Sequence, residues 1–117
     1  MSTRAQICIK RDTEGFKETG GIYIYKHSDG YPEGVLPTLE PMVKDFITNR
    51  GNDATYLLCQ IVREFAVTHP RRSPEKYYGQ PYTGWGLDTV EHGDIEFLYE
   101  VDPRDGTIYI NGERYAE

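Results

Sequence analysis

Polar and apolar residues alternate with a period of two in three separate parts of the chain, the pattern of a strand with one buried face. In "RAQICIKR", Arg4 to Arg11, Ile7 and Ile9 share one side and Cys8 the other. In "GGIYIY", Ile22 and Ile24 alternate with Tyr23 and Tyr25. In "DIEFLYEV", Ile95, Phe97, Tyr99 and Val101 stand opposite Glu96, Leu98 and Glu100. The polar, glycine-containing "DTEGFKETGG" between the first two reads as a hairpin loop. After the third, "DPRDG" is a turn, "TIYING" returns as a strand, and "NGERY" opens a last short hairpin.

Two central segments carry a helical period instead. In "VLPTLEPMVKDFITNRG", Leu39, Met42, Val43, Phe46 and Ile47 fall at i, i+3, i+4, i+7 and i+8. Thr38 is a suitable N-cap with Pro41 in the first turn, and Gly51 ends the helix. "NDATYLLCQIVREFAVTHP" begins again at Asn52 or Asp53, with Leu58, Ile61, Val62 and Phe65 as its stripe and Ala54 and Leu57 widening it. Pro70 closes it. The Gly-Asn-Asp spacer makes the pair an αα-hairpin or a sharp corner.

Two segments lack periodicity. "KHSDGYPEG", Lys26 to Gly34, links the second strand to the first helix; Ser28-Asp29-Gly30 reads as a tight turn with Gly30 free to take a positive φ. "RRSPEKYYGQPYTGWG", Arg71 to Gly86, is rich in Pro, Gly and aromatics and reads as a packed, ordered loop. The expected fold is a single α+β domain over residues 1–117. It has an antiparallel sheet of about five strands in the order β-β-α-α-β-β-β, with two helices on one face.

Composition supports one core: 117 residues suit one domain, and ten tyrosines supply buried area that a 38% apolar content alone leaves thin. Cys8 and Cys59 have no CxxC spacing and fit reduced core thiols. No apolar run reaches the length of a membrane span and no signal-peptide core follows Met1, so the expected location is the cytoplasm. The net charge of -6 is uneven. From Leu87 onward nine acidic residues face only Arg104 and Arg114, whereas residues 1–86 carry ten acidic and eleven basic. An acidic C-terminal third disfavours direct nucleic-acid binding and allows a basic protein partner.

Candidate chemistry is sparse. His27-Ser28-Asp29 and His92-Gly93-Asp94 repeat one local pattern. If the two loops met, His27, Asp29, His92 and Asp94 would suit a divalent metal, with Glu33 or Glu91 as further ligands, or an acid–base pair. The pattern is short, and Asp-Gly and Gly-Asp are ordinary turn pairs. Tyr23, Tyr25, Tyr31, Tyr77, Tyr78, Tyr82 and Trp85 could line a recognition surface, or close a second small core under the Arg71–Gly86 loop. Arg71, Arg72 and Lys76 beside Tyr77 and Tyr78 resemble a small anion grip, though cations after a helix C-terminus also serve the dipole. P-loop, dinucleotide-fold, nucleophile-elbow and HExxH signatures are absent, so no cofactor is called for.

"Y-x-H-x-D-G-Y-P", Tyr25 to Pro32, and "H-G-D-I-E-F-L-Y", His92 to Tyr99, resemble segments of small uncharacterised proteins of bacteria and their phages. That resemblance implies no activity. The sequence favours a non-enzymatic interaction protein that docks on a protein partner through Tyr23, Tyr25, Tyr31, Tyr78, Tyr82, Trp85 and the acidic C-terminal meander. The alternatives are a small metal-dependent or His/Asp acid–base hydrolase, and a nucleotide or small-anion binder using Arg71 and Arg72.

Overall fold

The computed structural model describes residues 3–10, 21–27, 29–51, 53–68, 76–77, 80–81 and 85–115. The strands are β1 (Ala5–Ile9), β2 (Tyr23–Lys26), β3 (Lys76–Tyr77), β4 (Gln80–Pro81), β5 (Trp85–Asp88), β6 (Phe97–Val101), β7 (Ile108–Ile110) and β8 (Glu113–Arg114). Helices α1 (Pro32–Arg50) and α2 (Ala54–Val62) lie between β2 and β3, and α2 runs on through Arg63–Thr68 as a wider helical turn. Six strands form one sheet in the order β5-β2-β1-β6-β7-β8, and β3 and β4 pair separately.

The fold is α+β, with both helices on one face of the sheet. Ala5, Ile7 and Ile9 from β1, Ile24 from β2 and Tyr99 and Val101 from β6 bury themselves against Val35, Leu39, Val43 and Phe46 of α1 and Leu57 and Ile61 of α2. The helical stripes and the alternating strands therefore meet as their periods require.

The sheet has six strands and is mixed, not antiparallel throughout. β1 pairs antiparallel with β2 but parallel with β6, setting Ile7 beside Tyr99 and Ile9 beside Val101. Alternation decides which face a side chain takes; it carries no information on strand direction. Both arrangements would bury the same residues, and the chain reaches the parallel one through the helices and β5.

α1 starts at Pro32, not at Thr38, and so takes in the end of "KHSDGYPEG". Pro32 fills the first position, where a missing N–H costs nothing, and Glu33 meets the positive end of the helix dipole. Pro37 and Pro41 lie inside the helix on exposed positions, where the carbonyls that lose a donor still reach water. In α2 the cap is Asp53, whose carboxylate accepts the Tyr56 N–H at 3.3 Å. Asn52 and the chain around Pro70 lie outside the described residues.

The turn before α1 also departs from expectation. Asp29, not Gly30, takes the positive φ, at 57°. Gly30 is needed for space: a Cβ there would stand 2.6 Å from the Ala5 Cβ and 2.8 Å from the Thr3 oxygen. A Cβ at Gly34 would overlap the Asp29 carbonyl oxygen. The Tyr99 hydroxyl donates to the Gly30 carbonyl at 2.7 Å in the buried interior, locking this loop onto β6. Burial, then the negative charge of Glu33, pushes the Tyr99 phenol well above its ordinary pKa.

Of the cysteines, Cys8 is buried and Cys59 is exposed on α2, so only the first is a core thiol; neither is in a disulfide. Cys59 falls outside the α2 stripe, which needs only Leu57, Ile61 and Phe65 to be fully covered. The last hairpin forms at Asn111-Gly112, where both residues adopt positive φ, 51° and 84°.

Candidate functional site

On the face of the sheet opposite the helices, the connection from β5 to β6 folds back over β2 and β1. Gln6 organises it from below. This side chain is fully buried. Its Oε1 accepts the His92 N–H at 2.9 Å and its Nε2 donates to the Val90 carbonyl at 3.1 Å. The Asp88 carboxylate closes the loop at its start, accepting the Thr89 N–H at 2.7 Å and meeting His92 Nε2 at 2.7 Å. These bonds, His92 first, then the Thr89 and Val90 N–H groups, hold the Asp88 carboxyl below the usual carboxylate range. At the far end Arg4 Nη1 pairs with Asp94 at 2.8 Å.

Both histidines of the repeated His-x-Asp pattern touch the same residue, Tyr25. Its hydroxyl lies 3.0 Å from His27 Nδ1, and its ring centroid lies 4.8 Å from that of His92. The aspartates of the pattern are not part of this array. Asp94 faces Arg4, Asp29 sits at the left-handed turn before Gly30, and the carboxylate that meets His92 is Asp88. Among the described residues no three His, Cys, Asp or Glu side chains come together as a ligand set for a metal ion. The array His27–Tyr25–His92–Asp88 is a run of polar and aromatic side chains in which the Tyr25 ring is tilted 51° and 40° to the two imidazoles.

The aromatic residues do not share one surface. Tyr23 is buried and Tyr25 half-buried on the face opposite the helices. Trp85 points to the helix side, 4.8 Å from the Phe65 ring and with Lys26 Nζ 5.0 Å above it. Tyr31 is exposed at the start of α1. Tyr78, Tyr82, Arg71 and Arg72 lie outside the described residues, as do the side chains of Lys76 and Tyr77.

The β5 end also carries exposed apolar side chains. Leu87 and Val90 are each 61% exposed, and Ile22, preceding β2, is 38% exposed. Ile24 pairs with Leu87 across β2 and β5, so Ile22 and Leu87 are diagonal neighbours on one face. From Leu87 to Val101 the chain holds Asp88, Glu91, Asp94, Glu96 and Glu100 and no lysine or arginine. Ile22 and Leu87 share the face of Ile24, the helix side of the sheet, opposite the face that carries Tyr25.

The chain matches no family model, no curated protein and no solved structure.

Away from this end, α1 and α2 enclose a groove of about 780 Å³, lined by Pro37, Met42, Phe46, Tyr56, Gln60 and Glu64 among others. None of the sequence-derived candidates lies in it. Gln6, Asp88, Leu87 and Val90 escaped the sequence reading. Gln6 did leave a signal, as the single amide in the apolar run "AQICI". Asp88 left another, standing four residues before His92.

Proposed function

We propose that this is a non-enzymatic interaction protein that docks on a protein partner through the β5 end of its sheet. The observation that carries the reading is the exposure of Leu87 and Val90, 61% each, inside an acidic stretch. Exposed apolar groups rimmed by charge are the usual mark of a contact surface. The reading narrows the recognition surface to Leu87 and Val90 at the β5 end, within a stretch whose charges are all acidic. Two cysteines outside any disulfide fit work in a reducing cytoplasm, and the bacterial and phage resemblance fits a small adaptor or inhibitor.

Site-specific photo-crosslinking in the producing cell tests this. A crosslinker at position 90 should give one dominant adduct, identifiable by mass. A crosslinker at the exposed Tyr56 of α2 should not, and Leu87→Lys should abolish the adduct from position 90. No position-dependent adduct would refute docking at this end.

The 2.7 Å contact between Asp88 and His92 favours a second reading, an acid–base site with Tyr25 and His27 alongside. It requires hydrolysis of some ester or amide in a broad substrate screen, lost on His92→Gln.

A further inference from the structure

Helix α1 borders a second groove, of about 410 Å³, together with Tyr115 just past β8. None of its described lining residues belongs to the β5 end, so it stands apart from the contact proposed above. Pro32, Leu36, Pro37, Pro41 and the Tyr115 ring make it apolar. Leu36 and Tyr115 also pack against the core, and the Tyr115 N–H donates to the Ile108 carbonyl at 2.8 Å. The fold itself therefore holds these walls in place.

The polar groups it gains from α1 are acceptors. Pro37 and Pro41 have no N–H, and in a helix those donors would serve the carbonyls four residues back. The carbonyls in question belong to Glu33 and Pro37, and both residues line the groove. A helix carbonyl without its donor must find a partner outside the helix. The carboxylates of Glu33 and Glu40 add negative charge; Glu33 is exposed, and Glu40 is already engaged within the chain. No lysine, arginine or histidine is among the described lining residues. Lys44 and Arg114 line the adjoining cleft beside Thr107 instead. The positive end of the helix dipole is confined to the first turn, where Glu33 meets it.

Such a groove suits a flat cation that carries several donors on an apolar stem. The arginine guanidinium has five N–H donors in one plane and no acceptor, and its face stacks on aromatic rings. A lysine offers a point charge without the flat face, and an anion would meet acceptors alone. A second copy of this chain would bring its own net charge of -6 against the groove.

We propose that this groove on α1 receives an arginine side chain of a partner protein. Its guanidinium donates to the Glu33 carboxylate and to the carbonyls that Pro37 and Pro41 leave without a helical donor, while its stem lies along Leu36 and Tyr115.

The test titrates the full chain, labelled with nitrogen-15, with a blocked five-residue peptide holding arginine between two leucines. Saturable shifts should centre on residues 33–41 and on Tyr115. The same peptide with citrulline, which keeps the shape and loses the charge, should bind about tenfold more weakly. Glu33→Gln, at an exposed position, should weaken the arginine peptide likewise. Pro37→Ala combined with Pro41→Ala returns an N–H to each of the two carbonyls. It should raise the thermal midpoint, because proline is unfavourable inside a helix, and yet weaken the arginine peptide. Undiminished binding by that stabilised variant would overturn the proposal. So would equal binding of both peptides, shifts centred on the α1–α2 groove or the β5 end, or no saturable shift. Guanidinium ion binding as tightly as the peptide would assign the groove to a small cation, and self-association through these residues would assign it to a second copy; either overturns the partner arginine.

Discussion

The side-chain amide of Gln6 replaces two peptide groups for the loop that holds His92, accepting from the His92 N–H at 2.9 Å and donating to the Val90 carbonyl at 3.1 Å. A buried amide that satisfies two loop groups acts as a short extra rung of sheet. Gln6→Leu keeps the volume and leaves both loop groups without their partner. It should cost about 1–3 kcal/mol in denaturant unfolding. Amide exchange at His92 should accelerate by more than exchange in β6, because the loop opens before the sheet does.

Tyr99→Phe removes the 2.7 Å bond to the Gly30 carbonyl and leaves that buried oxygen unpaired. The expected loss at neutral pH is about 1–3 kcal/mol. The folded pKa of Tyr99 is raised, so the native state keeps its proton where the unfolded chain releases it. This contribution is complete below the ordinary tyrosine value of about 10 and fades as pH rises beyond it. The stability gap between wild type and Tyr99→Phe should therefore close above about pH 10, as urea melts across that range would read.

Asp102 gives the opposite sign. It is buried in the β6–β7 turn, and Arg104 grips its carboxylate through Nε at 3.0 Å and Nη2 at 2.7 Å. The hydrogen bonds from the Arg104 side chain, opposed by burial, hold its pKa below the usual range. A depressed folded pKa contributes stability above the unfolded value of about 3.9, and loses it as pH falls through the folded one. Asp102→Asn should cost about 1–3 kcal/mol at pH 7, and the difference from wild type should shrink on acidification below about pH 4.

The turn before α1 depends on two glycines for space. Gly30→Ala would force its Cβ to 2.6 Å from the Ala5 Cβ, and Gly34→Ala would drive one into the Asp29 carbonyl. Each should destabilise by about 1–3 kcal/mol, read as a lowered thermal midpoint. Gly93→Ala, where nothing lies within 4 Å of the added carbon, should change little.

Much of this protein was legible in its sequence because periodicity reports faces. The strands around Ile7, Ile24 and Tyr99, the stripes of both helices, and the turn at Asn111-Gly112 follow from spacings of two, of three to four, and from one dipeptide. Local chemistry also marked the Asp53 cap. The start of α1 was not legible: the sequence pointed to Thr38, whereas the helix begins at Pro32, with Val35 packed into the core.

Tertiary structure alone decided the direction of β1 against β6 and the neighbours of His92. The His-x-Asp repeat suggested that His27, Asp29, His92 and Asp94 would form one set if the two loops met. The folded chain instead joins His92 to Asp88 and brings both imidazoles to Tyr25, more than sixty positions from His92. The physical reason is common to both cases. Alternation fixes the face a side chain occupies, whereas its partners depend on which strand lies alongside and on how the crossing loop is held down. Gln6 and Arg4 hold that loop from the first strand, at a separation no local pattern records.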